Sequence, residues 1–62
     1  MRIFYWKAEK QIELTIGNIG IPIDIEKLKE FLKMYELVKP FYGVNHKSFR
    51  YWCLKPKIKF QP

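Results

Sequence analysis

The sequence predicts an α+β fold in one small domain, residues 1–62, with an N-terminal β-hairpin packed on an amphipathic helix. Polar and apolar residues alternate over residues 11–16, as in a half-buried strand, and apolar residues recur at helical spacing over residues 25–38. Hydrophobic residues make up 48% of the chain and aromatic residues 18%, which is ample for one core. We therefore expect a folded domain and not a disordered tail.

The predicted hairpin consists of residues 2–7, which are rich in aromatic side chains, and the alternating residues 11–16. If the odd-numbered residues of the first strand enter the core, Phe4 and Trp6 point to the opposite face. There they would form a stacking platform or a protein contact, unless the C-terminal segment covers them. Isoleucines alternate again over residues 19–23, which predicts a further short extended segment.

Helix signals begin at Asp24, whose carboxylate can accept a hydrogen bond from a free backbone N–H of the first turn. Pro40 disfavours helical backbone at the residue before it, so the helix is predicted to end near Val38 or Lys39. The apolar stripe between these limits has the period of an α-helix and consists of Ile25, Leu28, Phe31, Leu32, Tyr35 and Val38.

The chain after Pro40 fits two predictions. In one, residues 40–44 and 48–54 form a second hairpin, which gives a ββαββ order. In the other, residues 46–55 form a second short helix. Short apolar segments fit both periods, so the pattern alone leaves both open, and Pro56 ends the element in either case.

The excess positive charge lies outside the predicted helix. Residues 24–39 hold four acids and four lysines, whereas the rest of the chain holds eight cations and two acids, an excess equal to the whole net charge of +6. Five of those eight cations fall in residues 47–59, which contain no acid. Aromatic residues are interleaved with them. Lysine and arginine neutralise phosphates, and aromatic faces stack on bases, so this segment predicts a nucleic-acid surface.

The segment from Gly43 to Trp52 resembles the second half of a helix-turn-helix DNA-binding unit. Gly43 matches the glycine of the turn, Asn45 the cap of the recognition helix, and Phe49 and Trp52 its buried positions. The resemblance implies that the side chains entering the major groove are those of His46, Lys47, Arg50 and Tyr51. It also implies a short wing near the phosphates, with Lys55, Lys57 and Lys59.

Several classes of protein are not expected. Cys53 is the single cysteine, so no internal disulfide can form, and with His46 it cannot supply a four-ligand zinc site. No apolar run is long enough for a membrane span or a signal-peptide core, which predicts a cytoplasmic or virion-internal protein without a membrane partner. No acid lies near His46 and Ser48 to orient a catalytic histidine. We expect neither enzyme activity nor a cofactor.

Three functions fit these observations. The first is a DNA-binding regulator or recombination accessory factor, acting as a homodimer because one small unit binds a short site weakly. The second is an RNA- or ribosome-associated protein within a larger ribonucleoprotein. The third is a phage or viral inhibitor that binds a protein. A helix over residues 46–55 would favour the first, and a strand would favour binding by a sheet.

Overall fold

The computed structural model describes residues 1–40 and 46–57. These residues form one antiparallel sheet of five strands in the order β3-β2-β1-β5-β4, together with one short helix. The α+β prediction is confirmed. The elements are β1 (Arg2–Trp6), β2 (Gln11–Ile16), β3 (Ile19–Ile23), α1 (Ile25–Phe31), β4 (Tyr35–Val38) and β5 (Phe49–Pro56).

The N-terminal hairpin is confirmed, and β1 is the central strand of the sheet. β1 and β2 pair from Arg2 opposite Thr15 to Trp6 opposite Gln11, and Lys10 closes their loop with a left-handed φ of 52°. β2 continues through a two-residue turn into β3. Gly17 occupies the first turn position with φ of 61°, which favours glycine and matches the right-handed twist of the strands.

The helix begins as predicted but ends earlier. The backbone N–H of Lys27 donates to Oδ1 of Asp24 at 2.9 Å, so Asp24 is the N-cap. After Phe31 the backbone tightens into a turn, in which the N–H of Lys33 donates to the carbonyl of Glu30 and that of Met34 to the carbonyl of Phe31. The predicted helical end near Val38 or Lys39 is therefore wrong.

Residues Tyr35–Val38 form β4 because a partner strand is present. Tyr35 and Leu37 are half-buried and alternate with the exposed Glu36 and Val38, so Tyr35 fits both the helical stripe and the strand, whereas Val38 of the predicted stripe lies on the opposite side of the strand. Their backbone pairs with β5, from Tyr35 opposite Pro56 to Val38 opposite Cys53. Pairing with a strand distant in sequence thus overrides the helical period.

The helix-turn-helix prediction is wrong. Phe49–Pro56, which overlaps the helix predicted over residues 46–55, is strand β5, which pairs with both β1 and β4. Gly43 and Asn45 lie outside the described residues.

As in the alternative prediction, residues 48–54 lie largely in a strand of an antiparallel pair, whose other strand is β4. Residues 41–44 of the predicted first strand lie outside the described residues. With β3, the order of elements in the described residues is βββαββ.

The core lies between the sheet and α1. Ile3, Leu14 and Leu54 are buried, one each from the three central strands β1, β2 and β5. Leu28 and Phe31 of the helix pack against this cluster. The helix therefore covers one side of the sheet, here called the helix side. Within residues 1–40 and 46–57, no helix lies over the other side, here called the open face.

Candidate functional site

Four aromatic side chains meet on the open face, where β1 and β5 lie side by side. The register places Phe4 directly opposite Tyr51 and Trp6 directly opposite Phe49. Because Ile3 enters the core, the alternation of the strand sends Phe4 and Trp6 to the open face, and the same rule applies to their partners. Phe4, Trp6, Phe49 and Tyr51 are called the aromatic cluster below.

The rings of the aromatic cluster pack on one another. Phe4 and Tyr51 are nearly parallel, with ring centroids 4.9 Å apart and an interplanar angle of 12°. Trp6 and Phe49 are tilted by 48° at 5.0 Å. All four side chains are half-buried, since each covers part of its neighbour while part of its surface remains open to solvent. The result is a continuous aromatic surface across the two central strands.

His46 extends the aromatic cluster at the end where β5 begins. Its ring stacks on Phe49, with centroids 5.0 Å apart and an angle of 16°. Its Nδ1 atom accepts a hydrogen bond from the backbone N–H of Ser48 at 3.1 Å, which orients the ring. Lys7 donates from Nζ to the carbonyl oxygen of His46 at 2.7 Å, and Lys47 is exposed beside it. One end of the cluster is therefore flanked by two lysines.

The other end of the open face carries an arginine and a further lysine. The guanidinium carbon of Arg2 lies 6.0 Å from the ring centroid of Phe4, at the outer limit of a cation–π contact, and its Nη2 atom donates to the carbonyl of Gly17 at 3.5 Å. Alternation along β5 places the exposed Lys55 on the open face, opposite Glu36 of β4. Cations thus occur at both ends of the aromatic cluster.

Three residues of the predicted binding surface do not join this arrangement. Arg50 lies opposite Tyr5, and alternation places both on the helix side. The ammonium group of Lys57 donates to the carbonyl of Leu32 at 2.9 Å, so it caps the end of the helical turn. Lys59 lies outside the described residues. The predicted residues that do meet on or beside the open face are Phe4, Trp6, His46, Lys47, Tyr51 and Lys55.

Sequence reasoning missed two members of this surface, Phe49 and Glu13. Phe49 was assigned to a buried helical position, although its alternation with Tyr51 in the hairpin alternative places the two on one face. Glu13 was overlooked, yet the confirmed hairpin register sets it directly opposite Phe4. The signal in each case was the two-residue period of a strand, which becomes usable once the strands are known.

Other kinds of site find little support in the part of the chain that the structure describes. Those residues contain no group of three histidine, cysteine or acidic side chains able to hold a metal ion, and no helix among them could cross a bilayer. A shallow depression of about 150 Å³ beside the helix is lined by Lys27, Glu30, Phe31 and Met34, without a convergent catalytic set.

Comparisons with protein-family models, curated proteins and solved structures found no match to this chain.

Proposed function

We propose that this protein binds single-stranded nucleic acid on the open face of its sheet and has no catalytic activity of its own. Bases would stack on the aromatic cluster, and phosphates would meet the cations at its two ends. The observation that carries the proposal is the pairing of Phe4 with Tyr51 and of Trp6 with Phe49 on a face without a covering helix among the described residues.

The aromatic cluster supports stacking because its surface is large, continuous and only half-buried. A hydrophobic core needs no such exposure, and the buried core of this protein, Ile3, Leu14 and Leu54, lies on the other side of the sheet. Every base has a π-face, so aromatic platforms on sheets bind single strands with little sequence preference. The spread from Phe4 to His46, through Phe49, offers more than one ring for successive bases.

The distribution of charge supports a polyanionic ligand. The chain has a net charge of +6, and Arg2 and Lys55 lie on the open face while Lys7 and Lys47 flank it. A strand whose bases lie over the cluster would carry its backbone past these side chains. The cations provide affinity that depends on salt and carries no sequence information.

A single strand fits this surface better than a duplex. The bases of a duplex are stacked on one another and offer only their edges, whereas a flat aromatic surface needs exposed base faces. Readout of duplex DNA by a recognition helix has no support, since Phe49–Pro56 is a strand. Binding of duplex DNA by some other part of the protein is distinguished from single-strand binding by the test below.

Two tyrosines on opposite sides of the sheet make a matched test. Tyr51 packs on Phe4 on the open face, and Tyr35 packs near Phe31 on the helix side at 6.3 Å; both are half-buried. We expect Tyr51→Leu to weaken binding of a fluorescein-labelled ten-nucleotide RNA or DNA strand by about 5- to 100-fold, the usual loss for one stacked base. Fluorescence anisotropy measures the affinity.

The control variant Tyr35→Leu should bind the same strand as the wild-type protein does, provided that circular dichroism shows it folded. Unchanged affinity in folded Tyr51→Leu would contradict the proposal, as would equal losses in both variants. Tighter binding to a duplex of the same sequence would instead support a duplex-binding regulator. Binding that is insensitive to salt would contradict the proposed role of the cations, and no binding of any strand would leave the protein-binding alternative.

A further inference from the structure

Glu13 is an acid within the face that we propose to bind a polyanion. It lies on β2, directly opposite Phe4, and it borders the aromatic cluster on the side away from β5. A carboxylate repels phosphate. Glu13 therefore lowers the affinity for any nucleic acid that would contact the open face only through its phosphate backbone. An acceptor beside a stacking platform instead suits the hydrogen-bond donors on the edge of a base.

The carboxylate of Glu13 is oriented by a hydrogen bond from one neighbour and has room because a second neighbour lacks a side chain. The indole Nε1–H of Trp6 donates to its Oε1 atom at 3.3 Å. On the other side, a Cβ atom added to Gly20 would fall 2.8 Å from Cδ and 2.9 Å from each carboxylate oxygen. The carboxylate therefore lies directly over Gly20 on β3, where any side chain would displace it.

Within residues 1–40 and 46–57, the carboxylate of Glu13 has no ion pair, and Trp6 is the only side chain that donates a hydrogen bond to it. A carboxylate has about four acceptor positions, so one bond from Trp6 leaves acceptor capacity on both oxygens. Glu13 is thus an acceptor with two oxygens at the rim of the aromatic cluster, oriented by Trp6 and opposite Phe4.

We infer that Glu13 selects guanine at the position stacked on Phe4 and Trp6. Guanine carries two adjacent donors, N1–H and the N2 amino group, on its Watson–Crick edge, which match the two carboxylate oxygens. Adenine and cytosine offer one amino group beside a ring nitrogen that repels the carboxylate, and the one donor of uracil lies between two carbonyl groups. The inference depends on the proposed function, since the base must first stack on this face.

The test uses four nine-nucleotide RNA strands, all uridine except at the central position, which is guanosine, inosine, adenosine or uridine. Inosine differs from guanosine only by loss of the N2 amino group. We expect the wild-type protein to bind the guanosine strand on the order of tenfold more tightly than the uridine strand, with inosine between them. Glu13→Gln should abolish this preference while binding the uridine strand at least as tightly, because a negative charge is removed.

Two further variants separate position from charge. Glu36→Gln removes the same charge from β4 on the open face, away from the cluster, and should keep the guanosine preference. Gly20→Ala keeps the charge but displaces the carboxylate, and should reduce the preference. Equal binding of all four strands by the wild-type protein, or a full preference in Glu13→Gln, would overturn the inference and leave the proposed function intact. No binding of any strand would overturn both.

Discussion

The two sides of the sheet are both rich in apolar residues, but they differ in kind. The helix side is closed around three buried aliphatic residues, Ile3, Leu14 and Leu54, against which aliphatic and aromatic side chains of the sheet and α1 pack. The open face holds the aromatic cluster, whose rings cover one another and remain half-exposed. The comparison teaches that apolar character alone does not identify the core: the helix decides which side is closed, and the other side keeps a large aromatic surface.

The central strand β1 makes this difference visible in a few residues. Ile3 is 2% exposed and Phe4, its neighbour in sequence, is half-exposed on the opposite side. A core on both sides would require a third layer, and within the described residues the one helix supplies a second layer only. We therefore expect substitutions on the helix side to change stability first, and substitutions on the open face to change binding first.

The largest expected effect is a loss of stability caused by a substitution on the helix side. Leu14→Ala removes a side chain that is 5% exposed and leaves a cavity in a core of few residues. We expect it to lower the free energy of unfolding by about 2–5 kcal/mol, as measured by urea denaturation followed by circular dichroism. Small domains have little stability to lose, so much of the protein should be unfolded at 37 °C. A loss under about 1 kcal/mol would break the assignment of this side as the core.

A smaller effect on stability is expected at the start of the helix. Asp24→Ala removes the acceptor for the backbone N–H of Lys27 and should destabilise the protein by about 1 kcal/mol in the same urea experiment. Asp24→Asn keeps an oxygen acceptor and should retain most of that stability. Since α1 lies on the helix side, neither variant should change the affinity of the folded protein for a single strand. A change in that affinity would argue that the two sides are coupled.

The smallest effect is expected from single cations on the open face. Lys55→Ala should remove about one phosphate contact, which flattens the slope of log affinity against log salt concentration by about 0.7 for a single strand. Lys29→Ala, an exposed lysine on the helix, is the matched control and should leave the slope unchanged. Anisotropy titrations between 50 and 200 mM salt measure both. Equal slopes for the two variants would show that Lys55 does not contact a phosphate of the bound strand.

Local signals predicted the elements whose partners are close in sequence. β1 and β2 are joined by a short loop, so their alternation needs no distant information, and Asp24 caps its own helix. The same period predicted that Phe4 and Trp6 lie on the face opposite to Ile3 and Tyr5. The concentration of charge outside the helix also follows from the sequence alone, because it is a count along the chain.

Some segments fit both the helical and the strand period, and for these only the tertiary structure decided which element forms. Tyr35–Val38 fits a helical stripe and a strand, and pairing with β5 selects the strand. Phe49–Pro56 also fits a helix, and its pairing with both β1 and β4 excludes one. These pairings join residues far apart in sequence. The free energy of such contacts cannot be read from a local sequence pattern.

The aromatic cluster has the same origin. Phe4 and Tyr51 are far apart along the chain, and each alone fits an ordinary core residue. The sequence by itself determined which strand residues share a face with one another, since alternation is a property of the backbone. Tertiary structure decided which strands are neighbours and which face the helix covers. For that reason, charge and alternation predicted a basic, aromatic protein, whereas the surface where these properties meet required the fold.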